Sequence, residues 1–137
     1  MIVVDTNALV HLLLGGEQTE AARRAYGKDP EWAAPLLWRS EFRSVLSMLM
    51  RRKRLGFTDA IDAASEAETL MSGREWGVET RTVLELATQS GCTAYDCEFV
   101  ALARDLQVPL VTSDREVLAA FPALAVPIEA FARARRP

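Results

Sequence analysis

Short apolar runs alternate along the chain with longer segments whose apolar residues recur at helical spacing. The run 2–4, IVV, is β-branched and apolar on both faces, which is typical of a central parallel strand covered on both sides. Four later short segments complete a set of five predicted strands. The five are 2–4, 32–34, a short edge strand at 75–78, 108–112 and 125–128.

Seven segments have the spacing of amphipathic helices. They are 8–14, 17–26, 36–54, 58–72, 79–90, 95–107 and 114–120. The clearest stripe, in 36–54, consists of Trp38, Phe42, Val45, Leu46 and Leu49. The stripe in 95–107 consists of Tyr95, Phe99, Leu102 and Leu106. We expect both stripes to face the core.

Local signals set the expected ends of these helices. Thr6 or Asn7 is expected to cap the first helix, and Thr58 the fourth, because their side-chain oxygens can accept a backbone N–H. Gly91 follows the fifth helix. The last residues, ARARRP at 132–137, are expected to be frayed.

The alternation of strands and helices indicates an α/β protein with a mainly parallel sheet. No linker, internal repeat or low-complexity segment interrupts the 137 residues, a normal length for one domain. We therefore expect a single domain over 1–137.

Composition excludes several function classes. The net charge is −3, which does not indicate nucleic-acid binding through bulk charge. No uncharged run is long enough to span a bilayer, and the N-terminus lacks the basic flank of a signal peptide, so we expect a soluble cytoplasmic protein with no membrane partner. Cys92 and Cys97 lack a matching Cys/His pair for zinc, so we expect reduced core residues.

Four acidic residues stand at positions where elements of the predicted sheet could converge. Asp5 directly follows the first strand, and Asp114 lies two residues after PLVT at 109–112. The carboxyl ends of parallel strands share one edge, where α/β proteins bind ligands. Each aspartate alone is equally compatible with a turn or helix N-cap.

The other two acids are Glu41 and Asp96. Glu41 lies three residues after Trp38, on the apolar side of its helix, although its carboxylate could also reach solvent or pair with an arginine. Asp96 lies in a first helical turn, where the helix dipole favours an anion in any case. Clustered carboxylates repel one another unless a cation joins them, and hard oxygen ligands suit Mg²⁺ or Mn²⁺.

Four motifs with this order and spacing resemble those of PIN-domain ribonucleases, in particular the VapC-like toxins of type II toxin–antitoxin systems. The motifs are VVDTNALV at 3–10, RSEFRSVL at 39–46, TAYDCEFVALA at 93–103 and PLVTSD at 109–114. The resemblance covers the whole chain, but 54–85 carries no recognisable signature. It implies a three-layer α/β/α sandwich around a five-stranded parallel sheet.

The resemblance also implies roles for individual residues. Asp5, Glu41, Asp96 and Asp114 would be the catalytic and metal-binding set, and Thr6, Asn7 and Thr112 would orient carboxylates or water. Some relatives have a further acid after the fourth, for which Glu116 is the nearest candidate here. The implied reaction is metal-dependent RNA hydrolysis with Mg²⁺ or Mn²⁺, leaving 5′-phosphate and 3′-hydroxyl ends. His11 is expected to be structural or exposed.

Partners follow from the same resemblance. RNA would be the substrate, held at the rim by the basic run 51–54 or 133–136; a solvated helix end is the alternative explanation of these charges. A homodimer would use the helices at 36–54 and 58–72, and a cognate antitoxin would block the acids with an arginine or a bulky side chain.

Other readings explain less of the sequence. Receiver domains need a lysine after a late strand, and the only lysines are Lys28 and Lys53. Haloacid-dehalogenase-type phosphatases need a second acid at position 7, where this chain has Asn7. A non-catalytic PIN-like module that binds RNA or protein remains the alternative.

Overall fold

The computed structural model describes residues 1–134, which form five strands and eight helices. In chain order these are β1 (Ile2–Val4), α1 (Thr6–Leu14), α2 (Thr19–Lys28), β2 (Trp32–Pro35), α3 (Leu37–Arg51), α4 (Phe57–Met71), β3 (Glu75–Trp76), α5 (Thr80–Ser90), α6 (Ala94–Leu106), β4 (Leu110–Thr112), α7 (Arg115–Ala120), β5 (Ala125–Pro127) and α8 (Ile128–Arg133). The predicted α/β class is confirmed.

The five strands form one parallel sheet in the order β3-β2-β1-β4-β5. β1 lies at its centre, with Val3 paired to Ala33 on one side and to Leu110 on the other. All three β1 residues are buried, as expected for a strand covered on both faces. Helices cover both faces, giving the three-layer α/β/α sandwich. Its parallel strands bring Asp5 and Asp114 to one edge of the sheet.

The edge strand β3 is attached to α3 by a hydrogen-bonded cluster. Arg39 donates from Nε and Nη2 to the two carboxylate oxygens of Glu75, at 2.6 and 2.9 Å. The indole of Trp38 donates to Glu75 Oε1 at 2.7 Å. Because Trp38 and Phe42 are buried in the core, this cluster fixes the start of α3, the helix that carries Glu41.

Several predicted helix boundaries are wrong. Asp5 caps α1 with its side chain, so neither Thr6 nor Asn7 does. α4 begins at Phe57 after Gly56 and has no side-chain cap, so Thr58 lies inside the helix. α3 ends at Arg51 rather than at 54, because the chain reverses through Lys53, whose φ is +55°.

Two further corrections concern tertiary context. α8 was not predicted; it packs against α2, where Lys28 donates to the carbonyl of Phe131 at 2.9 Å and lies over its ring. Tyr95 does not belong to the core stripe of α6, since 63% of it is exposed, whereas Phe99 and Leu102 are buried. The predicted fraying of 132–137 is wrong for Ala132 and Arg133, which belong to α8, while residues 135–137 lie outside the described part.

Within residues 1–134, no helix is long and apolar enough to cross a membrane.

Candidate functional site

A cleft of about 270 Å³ opens at the carboxyl edge of the sheet. All seven residues singled out in the sequence line it, together with Ser44, Val45, Phe99, Leu110 and Val117. The seven are Asp5, Thr6, Asn7, Glu41, Asp96, Thr112 and Asp114. Asp5 and Thr112, which are 107 positions apart in the chain, are joined there by a hydrogen bond.

Asp5 connects the central strand to α1 and to β4. Its Oδ1 accepts the N–H of Ala8 at 3.0 Å as the N-cap of α1, and its Oδ2 accepts the hydroxyl of Thr112. Burial raises the pKa of the Asp5 carboxyl; these hydrogen bonds act in the opposite direction, and the charge of Asp114 adds to the increase. Asp5 is thus both an N-cap and a wall of the cleft.

Asp114, like Asp5, is both the N-cap of a helix, α7, and a wall of the cleft. Its Oδ1 accepts the N–H of Val117 at 3.0 Å, and its own N–H donates to Thr112 Oγ1 at 3.0 Å. Thr112 therefore lies between the two aspartates, donating to one side chain and accepting from the backbone of the other. A buried hydroxyl with both partners satisfied holds the ends of β1 and β4 in register.

Glu41 projects from α3 toward α1, where its Oε1 accepts the hydroxyl of Thr6 at 2.7 Å. Burial is the main reason that the pKa of Glu41 is raised; the charges of Asp96, Asp5 and Glu98 raise it further, and the Thr6 bond lowers it. Within residues 1–134, no arginine pairs with Glu41, so the ion pair considered as an alternative for this carboxylate does not form.

Asp96 lies half-buried in the first turn of α6. Thr93 caps this helix, and the hydrogen bond comes from the N–H of Asp96 itself, at 3.0 Å from Thr93 Oγ1. Cys92 and Cys97 flank the turn at the N′ and N4 positions, where a pair of apolar side chains fixes the direction in which a chain enters a helix. Both are buried free thiols, as predicted.

The donor set fits a hard divalent cation through its chemistry. The cleft presents four carboxylates, three hydroxyls and an exposed amide, all oxygen-bearing groups. Within residues 1–134, however, no three His, Cys, Asp or Glu side chains are already gathered to hold a metal. Mg²⁺ does not need such a cage, because it commonly binds one or two carboxylates, several waters and substrate phosphates.

Comparison with known proteins identifies the family. Residues 2–124 match the PIN domain model. The chain belongs to the PIN domain family. Ribonuclease VapC3 of Pyrobaculum aerophilum is 30% identical over 139 aligned residues, which cover 92% of this chain and 98% of that protein. Ribonuclease VapC9 of Mycobacterium tuberculosis is 34% identical over 122 residues, which cover 83% and 86% of the two chains. The predicted resemblance to VapC-like PIN domains is confirmed.

Solved structures agree on the fold. A crystal structure of a Pyrobaculum aerophilum protein matches this PIN domain with a TM-score of 0.74 at 25% identity, over 96% of this chain and 92% of the other. A chain of a toxin–antitoxin complex from Klebsiella pneumoniae matches with a TM-score of 0.69 at 17% identity, over 93% and 98%. The second likeness shows the fold alone.

Some residues of the PIN domain cleft were not predicted as part of it. Ser44 lies one helical turn after Glu41, and this i, i+3 spacing was the available signal. Phe99 lies one turn after Asp96 and was expected only as core. Glu98 lies close enough to Glu41 for its negative charge to raise the pKa of the Glu41 carboxyl, and burial raises the pKa of Glu98 itself.

Other candidates lie elsewhere. Glu116 is exposed and borders a separate depression beside Cys92, so it does not line the acidic cleft. His11 is half-buried on α1 outside the cleft. Of the basic run 51–54, Arg51 borders an apolar groove between α3 and α4. Arg133 is exposed on α8, while Arg135 and Arg136 lie outside the described residues.

Proposed function

We propose that the protein is a VapC-like endoribonuclease, the toxin of a toxin–antitoxin pair, which hydrolyses RNA phosphodiester bonds with Mg²⁺ or Mn²⁺ at the acidic cleft. The single observation that carries the proposal is that all four acids of the family motifs line one cleft in a chain that belongs to the PIN domain family. The activity also agrees with the ribonuclease names of the relatives.

Asp5, Glu41, Asp96 and Asp114 would hold the cation by their carboxylate oxygens. When bound, the cation would activate a water and stabilise charge on the phosphate. Thr112 directs one oxygen of Asp5, and Thr6 directs one oxygen of Glu41, so each carboxylate presents its remaining lone pairs in a fixed direction. The exposed amide of Asn7 is placed to bind water or phosphate at the cleft mouth.

The test compares wild type with Asp5→Asn and Glu116→Gln on labelled structured RNA. Asparagine is as good an N-cap as aspartate, so Asp5→Asn removes the charge while α1 keeps its cap. Glu116→Gln is a matched control, because it neutralises an exposed acid outside the cleft. We expect wild type and the control to cleave with Mg²⁺ or Mn²⁺, and Asp5→Asn to lose about 100-fold or more in rate.

The same reactions in EDTA complete the experiment. Wild-type cleavage should stop in EDTA and return with added metal, and the products should carry 5′-phosphate ends. Equal cleavage by Asp5→Asn, or cleavage in EDTA, would contradict the proposal. Absence of cleavage across a broad set of RNAs, together with no metal binding by titration, would favour the non-catalytic RNA- or protein-binding module.

An antitoxin would inhibit by covering the cleft. An arginine is the side chain best suited to insert there, because a planar guanidinium can pair with two carboxylates at once. Added cognate antitoxin should therefore stop RNA cleavage at a one-to-one ratio, and metal at high concentration should compete with it. Inhibition that leaves metal binding unchanged would contradict a block at the acids.

A homodimer would use the groove between α3 and α4, which is about 510 Å³ in volume and mainly apolar. Phe57 and Ile61 border it with 68% and 50% of their surfaces exposed. Arg51 and Glu68 place opposite charges on the same face, so a two-fold pairing can match them. Ile61→Asp should halve the mass measured by sedimentation. An unchanged mass would contradict this dimer face.

We also propose that residues 1–137 form a single PIN domain in the cytoplasm, where its RNA target is found and where free thiols stay reduced.

A further inference from the structure

Tyr95 is an aromatic side chain that the fold leaves without a packing role. It lies in the first turn of α6 with 63% of its surface exposed. Within residues 1–134, no hydrogen bond, ion pair or ring contact holds it. An exposed tyrosine of this kind has an apolar ring face available to a ligand.

Helix geometry places this ring at the rim of the acidic cleft. Asp96, the next residue, lines the cleft, and so does Phe99, four positions after Tyr95. Residues four apart lie one above the other on the same helix face, and helical side chains lean toward the N-terminus. The ring of Tyr95 therefore stands outside Phe99, toward the open end of the cleft.

The charge around Tyr95 limits what it can recognise. Asp96 and Glu98 are its acidic neighbours on α6, and Glu41 lies across the cleft. This rim repels a phosphate that is not neutralised by a cation. Contacts to the rest of the RNA at this rim therefore have to be made with uncharged groups, and the only extended uncharged surface that a nucleotide offers is its base.

We infer that Tyr95 is a stacking platform for an unpaired base of the nucleotide next to the scissile phosphate. The inference rests on the proposed ribonuclease function and adds to it a residue that contacts the base beside the scissile phosphate. A base inside a duplex has both faces covered by its neighbours, so only an unpaired base can stack on the ring. Because every base has a π-face, stacking selects for unpaired structure more than for sequence.

The first measurement is RNA binding without cleavage, in the Asp5→Asn background with Mg²⁺. The probe is a single-stranded oligoribonucleotide with 2-aminopurine at one position, moved along the strand in successive oligonucleotides. Stacking on Tyr95 should quench its fluorescence at one position. Tyr95→Ala should abolish that quenching and weaken binding about 5- to 100-fold, whereas Tyr95→Phe should retain both.

Two controls distinguish the loss of stacking from a general loss of exposed apolar surface. Leu84→Ala removes an exposed apolar side chain of α5 that borders neither the acidic cleft nor the α3–α4 groove, and it should leave binding and quenching unchanged. The same oligonucleotide annealed to its complement should bind equally weakly to all variants. Quenching in Tyr95→Ala equal to that of the parent protein, or an equal loss of binding in Leu84→Ala, would overturn the inference.

Cleavage kinetics distinguish this inference from the proposed function. With Asp5 intact, Tyr95→Ala should raise KM for single-stranded RNA and leave kcat nearly unchanged. If wild type cleaves and Tyr95→Ala has the same KM and kcat, stacking is refuted and the ribonuclease function stands. If no variant cleaves but quenching still depends on Tyr95, the stacking platform stands and the ribonuclease function falls.

Discussion

At the scale of single residues, Thr112 is the side chain whose loss should disturb the geometry of the cleft most. Its hydroxyl donates to Asp5 and accepts the backbone N–H of Asp114 at 3.0 Å. Thr112→Val keeps the shape but removes the hydroxyl on which both partners depend, at a buried position. We expect a loss of about 1–3 kcal/mol in the free energy of unfolding and about 10- to 100-fold in RNA cleavage rate.

The matched control for this prediction is Thr112→Ser, which retains the hydroxyl. It should keep most of the cleavage rate and lose only the small contribution of the buried methyl group. Urea unfolding and RNA cleavage would be measured on both variants. If serine and valine had equal effects, the hydroxyl would have no special role in orienting Asp5.

The positions of the site residues could be predicted from the sequence, but their contacts could not. The motifs of the family resemblance led to seven residues that all line the cleft, whereas their part in metal binding and catalysis stays a prediction. For Asp5 and Asp114 the sequence left the N-cap and the cleft position as alternatives, but each residue caps a helix and also lines the cleft. Partnerships such as Thr112 with Asp5 span 107 residues, and no local pattern reports them.

At the scale of elements, the N-terminus of α6 is the part that positions Asp96. Thr93 accepts the N–H of Asp96, so losing the cap releases the backbone of the acid itself. Thr93→Ala should cost about 1 kcal/mol in the free energy of unfolding. It should also lower RNA cleavage, whereas Thr93→Ser should be close to wild type in both. Thermal unfolding and initial cleavage rates check this, and a stability loss without a rate loss would separate the cap from the site.

The attachment of β3 to α3 should make stability depend on pH. The hydrogen bonds from Arg39 lower the pKa of Glu75; burial opposes them, and the Trp38 indole assists. A carboxyl whose pKa is lower in the folded state stabilises the protein above its unfolded pKa. That stability is lost as the pH falls through the folded pKa.

Glu75→Gln tests this element. At neutral pH it should cost about 1–2 kcal/mol, toward the low end for hydrogen bonds to charged groups because Arg39 is partly open to solvent. The difference in stability between wild type and Glu75→Gln should shrink as the pH is lowered through the acid range, as followed by urea unfolding at each pH. A constant difference would show that the charge of Glu75 is not responsible.

The strands and most helices could be predicted because their periodicity is local, whereas their ends and one helix depended on packing. β4 begins at Leu110 rather than 108, since Pro109 has no N–H to pair with β1. α8 has only six residues and depends on contacts with Lys28 that no local pattern shows. Tyr95 fits the helical stripe by spacing, but its side chain is exposed, although Cys97, two residues later, is fully buried.

At the scale of the whole molecule, the acidic cleft works against stability. The carboxyls of Asp5 and Glu41 have raised pKa values in the fold, mainly through burial. Between its unfolded and folded pKa, such a group binds more protons in the folded state, so stability falls as pH rises and the loss persists at neutral pH. Residues kept for function in this way commonly lower the stability of the rest of the fold.

Neutral versions of these two acids should therefore stabilise the metal-free protein. In EDTA at neutral pH, Asp5→Asn and Glu41→Gln should unfold at a temperature equal to or above that of wild type, because each removes a buried charge and a source of repulsion while keeping a similar shape. Adding Mg²⁺ should raise the unfolding temperature of wild type, by the equivalent of about 2.7 kcal/mol at one hundred times the dissociation constant. It should raise the unfolding temperature of the two variants much less.

Calorimetry with and without metal makes this comparison, with Glu116→Gln as the control that should respond to Mg²⁺ as wild type does. Equal metal responses in all four proteins would mean that the cation binds outside the cleft.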